Sequence, residues 1–399
     1  MQAQKDDNGA APQRTKSALR EVAFLFLRLG TISFGGPAAH IAMMEDEVVK
    51  RRKWITHEYF LDLLGATNMI PGPNSTEMGI HIGYVRAGWK GLILAGICFI
   101  LPAVAISLLF AHFYSLYGSF PQINGFMWGI RSAVIAIILS AIIRLGKPHV
   151  KKPFMLVIGA AVCVLSFLKV DAILLLAGAG VLGLLWGNRN RFMQHRIPLL
   201  LVFAVPAFLF LAPSNVPVPT PGTPTLSALG LFFLKIGSIL YGSGYVLAAF
   251  LQGGLVDARH WLTQAQLLDA IAVGQFTPGP VLSTATFIGY LILGFPGAAV
   301  STVGIFLPSF IYVLIISPFV PRLRKSTAIA GFLDGVNAAS LGLMLSVSVM
   351  LGSSALVSPG SWTIFIVAAS AIMIWNLHAA WIVVGAAIVG WLFLIAGLM

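Results

Sequence analysis

Charged residues are scarce in this chain of 399 residues: 25 are basic and 13 are acidic, so only 10% of the sequence is charged. Soluble domains carry about 25% charged residues, and so few charges cannot cover a water-facing surface of this size. Hydrophobic residues make up 58% of the chain, and the mean hydropathy is +0.91. The composition excludes an ordinary soluble enzyme and predicts a polytopic membrane protein that lies in a lipid bilayer.

Cysteine and the common catalytic motifs are also scarce. The two cysteines, Cys98 and Cys163, lie in apolar stretches without disulfide or metal-ligand spacing, so we predict no metal site and no cofactor. The sequence contains no GxxxxGK[ST], HExxH or GxSxG motif, which argues against an ATP-driven pump and against a membrane-embedded enzyme. Basic residues occupy short breaks between apolar runs, and this pattern argues against a nucleic-acid partner despite the net charge of +12.

The chain contains two copies of one unit. The segment FLRLGTISFGG at 26–36 reappears as FLKIGSILYGS at 233–243, an offset of 207 positions. The Pro-Gly-Pro motif at 71–73, here called the first tip, matches the second tip at 278–280 at the same offset, and later matches continue at 206. We therefore predict two homologous repeats. The predicted divisions are a disordered tail at 1–16, a first repeat at 17–211, a Pro-rich linker at 212–224 and a second repeat at 225–399.

Positive charge predicts opposite orientations for the two repeats, because cytoplasmic loops are rich in Lys and Arg. In the first repeat, 50–53 and 144–152 are basic and 118–121 is neutral. In the second, 257–260 is nearly neutral, 352–359 carries no charge and 322–325 is basic. The N-terminus is then cytoplasmic, the linker extracytoplasmic and the C-terminus extracytoplasmic. Expected crossings are 91–115, 122–145, 153–168, 171–186, 197–211, 294–317, 327–351, 362–375 and 379–396.

Each repeat begins with two interrupted apolar stretches. In the first repeat one stretch is broken at Gly35-Gly36-Pro37 and the next at the first tip, and both begin and end beside basic residues. We expect each to enter the membrane and return as a re-entrant hairpin, since irregular backbone at membrane depth lines protein or a cavity; simple kinks or interfacial turns are the alternative. The predicted fold is all-α, with two inverted-topology repeats that each place broken re-entrant hairpins before transmembrane helices.

The breaks predict an anion site. After each tip the chain can restart as a helix, capped by Asn74 or Ser75 in one repeat and by Ser283 in the other, so that N–H groups and the positive dipole end face the break. Inverted-repeat transporters hold anionic substrates in this way. The candidate substrate-binding residues are Arg28, Gly35, Gly36, Pro71, Gly72, Asn74, Ser75, Arg131, Lys235, Gly242, Ser243, Gly279, Ser283 and Asn337.

Basic residues inside the apolar stretches support this site. Arg28 and Lys235 occupy equivalent repeat positions shortly before their breaks, and Arg131 has Asn337 as its repeat partner. Charges in a membrane are costly and usually serve a transport pathway. The alternative is that these long side chains extend to the lipid headgroups.

Three acidic residues are candidates for coupling transport to protons. Asp62 and Asp269 each lie nine residues before their Pro-Gly-Pro motif; they are proton carriers, partners of Arg28 and Lys235, or residues of an interfacial helix. Glu77 lies three residues after Asn74, which matches either a capping box or a coupling carboxylate. Thr263 and Gln266 form the same capping pattern in the second repeat.

The sequence also resembles a known family. FGGP at 34–37, MIPGPNS at 69–75, FTPGP at 276–280 and two Leu-Pro pairs are similar to motifs of the chromate ion transporter family. The resemblance covers nearly all of 17–399 and implies two halves of opposite topology in an inner-membrane protein that exports chromate and confers chromate resistance. The second repeat departs from the pattern with Tyr-Gly-Ser-Gly at 241–244, so we expect two non-equivalent sites.

The leading hypothesis is a secondary transporter that exports chromate, driven by the membrane potential or by protons. Sulfate or another tetrahedral oxyanion is the alternative substrate, because N–H donors recognise shape and charge. An anion channel and a membrane-embedded enzyme are more remote alternatives. Protons and a second copy of the chain, as a homodimer, complete the candidate partners.

Overall fold

The structure, a computed structural model, describes residues 16–34, 36–118, 120–147, 152–187, 223–241, 246–317 and 327–397. Within these ranges the chain forms helices and turns without a β-strand. The expected crossing at 197–211 and nearly all of the predicted tail and linker lie outside the described residues; Lys16, the last residue of the predicted tail, begins the first helix.

The two repeats form corresponding sets of helices. In the first repeat these are α1 (Lys16–Ile32), α2 (Pro37–Glu45), α3 (His57–Thr67), α4 (Asn74–Tyr117), α5 (Pro121–Gly146), α6 (Pro153–Phe167) and α7 (Ala172–Gly187). In the second they are α8 (Leu226–Ile239), α9 (Leu247–Leu251), α10 (Gln264–Phe276), α11 (Thr284–Ile316), α12 (Thr327–Ala355), α13 (Pro359–Trp375) and α14 (Ala379–Ile395). Short π-helical turns, Asp46–Arg51 and Gln252–Asp257, continue α2 and α9. Proline begins α2, α5, α6 and α13, where its missing N–H has no intrahelical partner to lose.

Four stretches of the described chain are long and apolar enough to cross a membrane: Asn74–Tyr117, Ile123–Gly146, Val281–Ile316 and Ala330–Ala355. They coincide with four of the expected crossings. The helices α6, α7, α13 and α14 coincide with four more and are shorter, with 15 to 17 residues each. The chain is therefore a multi-pass membrane protein, as its composition predicts.

Both α4 and α11 turn sharply near their first third. The backbone is non-helical at 87–88 and 293–294, with φ of +64° at Gly88 and +63° at Gly294. The turn brings two helical arms together, since a Cβ on Gly83 would lie 2.4 Å from the Gly91 carbonyl oxygen, an approach that only glycine allows. The second repeat has the same approach at the equivalent glycines. Each element is thus a short arm beside the tip followed by a long, apolar arm.

The last helices of each repeat pack against the other repeat. α12 packs on α6 and α7, and α5 packs in the same way on α13 and α14. Small residues bring the backbones together: a Cβ on Gly129 would lie 2.0 Å from the Ala386 carbonyl oxygen, and one on Gly335 would lie 2.1 Å from that of Ala179. α4 also packs on α11, and α5 on α12. The repeats are therefore interlocked around these four helices.

Candidate functional site

Each tip forms a hydrogen bond with the opposite repeat. The Gly72 N–H donates to the Leu240 carbonyl oxygen at 2.7 Å, and the Gly279 N–H donates to the Ser33 carbonyl oxygen at 2.9 Å. The two bonds are equivalent between the repeats. The donors Gly72 and Gly279 are 207 positions apart, and so are the acceptors Ser33 and Leu240. Gly72 has φ of +145° and Gly279 has φ of +88°, so both tips use backbone conformations that favour glycine. The tip of one half therefore contacts the chain just before the break of the other.

The helices after the tips begin differently from the prediction. Pro73, rather than Asn74 or Ser75, is the N-cap of α4, and it makes no capping bond because proline has no polar side chain. The side chain of Asn74 donates instead to the Asn68 Oδ1 at 2.7 Å. The predicted capping box between Asn74 and Glu77 is therefore wrong.

In the second repeat, Ser283 ends the short 3-10 turn Val281–Ser283 and precedes α11, and its hydroxyl makes no capping bond. Ser283 thus occupies the predicted N-cap position of α11, but its backbone is helical and its side chain does not cap the helix. The box formed by Thr263 and Gln266 at the start of α10 is confirmed.

His40 connects the first break to the first tip. Its Nε2 lies 3.1 Å from the Ser33 carbonyl oxygen, and its Nδ1 lies 3.2 Å from the Ser75 Oγ. A carbonyl oxygen only accepts, so Nε2 carries the proton, and Nδ1 of the neutral ring accepts from the Ser75 hydroxyl. Ser33 thus accepts from both His40 and Gly279. A single histidine in an apolar stretch has no spacing pattern, and the local sequence does not single it out.

Glu77 is fully buried against the first tip. A Cβ on Gly72 would lie 1.9 Å from the Glu77 Oε1 and 2.7 Å from the Ser309 Oγ, so both groups flank the same α-carbon. Neither carboxyl oxygen reaches hydrogen-bond geometry with a described residue, and the same is true of the Ser309 hydroxyl. Tyr241 and Tyr312, from the second repeat, lie within electrostatic range. The first tip therefore faces a carboxyl group, which would repel an anion if it were ionised.

Arg131 is paired rather than free to face an anion. Its Nε donates to the Asp269 Oδ1 and its Nη2 to the Oδ2, both at 2.7 Å, while the Tyr114 hydroxyl donates to the same Oδ2 at 2.7 Å. The Asp269 side chain is fully buried, and that of Arg131 is 26% exposed. Asp269 pairs with Arg131 and not with Lys235, because α10 packs on α5. The bidentate pair leaves little net charge and joins the two repeats.

Arg28 lies at the edge of a basic surface. Its Nη1 is 3.4 Å from the Glu47 Oε1, and two arginines of the 50–53 cluster contact the same carboxylate. The Arg28 side chain is 46% exposed. Lys235 is also exposed, and its repeat has Gly254 at the position of Glu47. Arg28 therefore pairs with the Glu47 carboxylate.

The remaining predicted ligands are dispersed. Gly35, Gly242 and Ser243 lie outside the described residues. Gly36 precedes α2 with φ of +80°, while Asn337 on α12 and Asp62 on α3 are half-buried. The Ser283 hydroxyl is buried and has no hydrogen-bond partner among the described residues.

A small cavity lies beside the second tip and is lined by both repeats: Ile138, Leu247, Ala248, Leu251, Ile271, Gln275, Val281 and Thr284. Its volume of about 10 Å³ has room for about one water molecule, and not for a tetrahedral oxyanion of five heavy atoms. Access for such an ion to this region requires the surrounding helices to separate.

Sequence comparisons give relatives across nearly the full chain. The profile of a family described as "Chromate transporter" matches twice, at residues 20–184 and 227–391. A chromate transport protein of Cupriavidus metallidurans is 34% identical over 93% of this chain and 92% of its own length. A probable chromate transport protein of Synechococcus elongatus is 32% identical over 88% and 89%, and a chromate transport protein of Pseudomonas aeruginosa is 31% identical over 92% and 90%.

No solved structure matches the chain. The two matched ranges coincide with the two repeats that the offset in the sequence predicts, and the relatives share both of them. With its apolar helices and its duplicated Pro-Gly-Pro tips, this membrane protein belongs to the chromate transporter family.

Proposed function

We propose that the chain is a secondary transporter that moves chromate out of the cytoplasm across the inner membrane, and that it thereby confers chromate resistance. The observation that supports this best is the reciprocal contact of the tips, Gly72 with Leu240 and Gly279 with Ser33. These glycine N–H groups are donors that an oxyanion can take over when the tips separate. The activity named for the relatives supports chromate as that oxyanion.

We further propose that the repeats have inverted topology and that their first hairpins are re-entrant. The sharp turn at 87–88 lies between Arg86 and Lys90, whereas the equivalent turn at 293–294 has no basic neighbour. Under the positive-inside rule this difference favours a cytoplasmic turn in one repeat and an extracytoplasmic turn in the other. The short arms at the tips then end within the membrane.

The direction follows from electrostatics. With a negative cell interior, moving an anion outwards is favourable by about 2.3 kcal/mol per charge for each 100 mV. A dianion therefore leaves the cytoplasm down its electrical gradient even when its concentration is higher outside.

Flux through purified protein in liposomes tests the proposal. Vesicles loaded with labelled chromate should release it at a rate that saturates with concentration and rises with an imposed interior-negative potential. Gly279→Ala should slow the release, because its φ of +88° disfavours alanine and the new Cβ would lie 3.2 Å from that of Ala103. Gly385→Ala, on α14, where a Cβ has open space, is the matched control.

The outcomes separate the alternatives. Release no faster than from empty liposomes would refute chromate transport. Flux that never saturates would indicate a channel. Unlabelled sulfate that competes as well as unlabelled chromate would make a general tetrahedral oxyanion the substrate.

A further inference from the structure

Glu77 is chemically unusual within this fold. Its side chain is fully buried, and no cation pairs with it in the described part of the chain; the Ser309 hydroxyl lies near the carboxyl group without reaching hydrogen-bond geometry. Asp269, the other fully buried acid described above, has Arg131 and Tyr114. Burying an isolated ionised carboxylate costs far more than burying a neutral carboxyl group. The geometry therefore favours Glu77 with a proton.

The hydroxyl groups near Glu77 carry no charge that could balance an ionised carboxylate. Ser309 flanks the same Gly72 α-carbon, and Tyr241 and Tyr312 lie within electrostatic range of the carboxyl group; all three belong to the second repeat. Titratable groups on the elements around α4 make other contacts: Arg28 with Glu47, Glu21 with Arg86, His40 with Ser75, Asp62 near Tyr59, Tyr290 with His112, and Asp269 with Arg131 and Tyr114. Lys235 on α8 is exposed.

Two further polar residues, His81 and Ser317, lead from Glu77 towards the C-terminal end of α11. His81 lies four residues later, on the same face of the short arm, and is also buried. Its Nδ1 is 3.0 Å from the hydroxyl of Ser317, the C-cap of α11, while its Nε2 has no partner among the described residues. Ser317 precedes the basic segment at 322–325, which the charge pattern places in the cytoplasm.

We propose that Glu77 is a proton-binding site that exchanges with the cytoplasm through His81 and Ser317 and that must be protonated when a dianion occupies the first tip. The proposal rests on the proposed function for the identity of the anion. Because an ionised Glu77 beside Gly72 repels a dianion, binding of the proton and binding of the anion favour each other. The dianion then binds beside a neutral carboxyl group, and the proton returns to the cytoplasm by the same route when Glu77 ionises.

The second repeat lacks this site. At the repeat offset of 206, Glu77 corresponds to Ser283, His81 to Phe287 and Ser309 to Ala103. The two tips are therefore chemically different, and the chain holds one such carboxyl site and not two. The same comparison supplies substitutions, such as His81→Phe, that the repeated fold already accommodates.

The first test measures chromate affinity against pH for wild type and Glu77→Gln. A single linked proton makes wild-type affinity fall about tenfold per pH unit once Glu77 ionises, whereas the glutamine variant should keep its acid-side affinity. Because chromate itself takes up protons near neutral pH, the variant serves as the reference at each pH. Glu58→Gln, an exposed acid on α3, should follow wild type. Identical slopes for wild type and Glu77→Gln would overturn the proposal.

The second test needs no substrate and so separates this proposal from the proposed function. Infrared spectroscopy of wild type at neutral pH should show the carbonyl stretch of a protonated carboxyl group, and Glu77→Gln should lose it. Absence of that band in wild type would overturn the site even if chromate is transported. His81→Phe should keep the band and the equilibrium affinity but slow flux; unchanged flux would remove His81 from the route.

Discussion

Two buried acids in this chain have different surroundings. Asp269 accepts two bonds from Arg131 and one from Tyr114, so its charge is balanced by a guanidinium group. Glu77 faces Gly72 and Ser309 without a cation among the described residues. Asp269 therefore stabilises the contact between the repeats through an ion pair, whereas the surroundings of Glu77 favour its protonated, uncharged form.

Arg131→Asn should destabilise the protein strongly. Loss of one partner of a buried ion pair costs about 3–5 kcal/mol, because the remaining charge stays in the interior. Asparagine is the residue at the equivalent position, Asn337. The double variant Arg131→Asn/Asp269→Asn should lose less stability than Arg131→Asn alone, since no buried charge is left unpaired. Thermal unfolding in detergent measures the stability of each variant and so ranks them.

Asp334→Asn is the control for this prediction, because its contact with Lys152 is partly exposed and such pairs contribute about 0–1 kcal/mol. A double variant that is less stable than Arg131→Asn would contradict an energetically coupled pair.

Single residues were predictable in type but not in partner. The sequence predicts Arg131 inside a membrane crossing and makes Asp269 a candidate coupling residue, yet their contact spans 138 positions and depends on how α5 and α10 pack. The hydrogen bonds of His40 with Ser33 and Ser75 likewise depend on the fold. Periodicity and repeat alignment carry no information on such contacts.

At the scale of elements, the glycine turns in α4 and α11 separate the short arms from the long arms. Gly294 has φ of +63° and ψ of −151°, a region that is occupied almost only by glycine. A Cβ there would meet no atom within 4 Å. Any effect of a side chain at this position is therefore an effect on backbone conformation alone.

Gly294→Ala should lower the free energy of unfolding by about 1–3 kcal/mol, the usual cost of such a conformation for a residue with a Cβ. Gly385→Ala also places its Cβ in open space but lies within the helix α14. It should leave stability unchanged or raise it by up to about 1 kcal/mol. Chemical denaturation of both variants gives the comparison, and equal stabilities would show that the turn tolerates helical backbone.

The sequence predicted most helices and missed some of their ends. The Pro-Gly-Pro motifs marked the breaks correctly, because proline and glycine act locally. The starts of α4 and α11 differed from the prediction, since the chain enters them through Pro73 and through the 3-10 turn at 281–283. Which polar residue caps a helix depends on backbone angles that a motif alone leaves open.

At the scale of the whole molecule, the duplication was visible in the sequence but the exchange of helices between halves was not. The offset shows which residues correspond, and it holds whether each repeat packs on itself or on its neighbour. The structure places α12 on α6 and α7 and α5 on α13 and α14. Close approaches such as that of Gly129 to Ala386 require this interlocked arrangement.

The interlocked arrangement predicts that the halves bind each other without a covalent link. Two co-expressed fragments, divided within the predicted linker at 212–224, should co-purify from membranes through a tag on one of them. Either fragment alone would leave half of the Arg131–Asp269 pair in the membrane, where an unpaired charge costs about 2.5–3.5 kcal/mol. Asp269→Asn in the second fragment should therefore weaken recovery, and adding Arg131→Asn in the first should restore part of it. Recovery of the tagged fragment without its partner would show that each repeat folds on itself, contrary to the packing of α5 and α12.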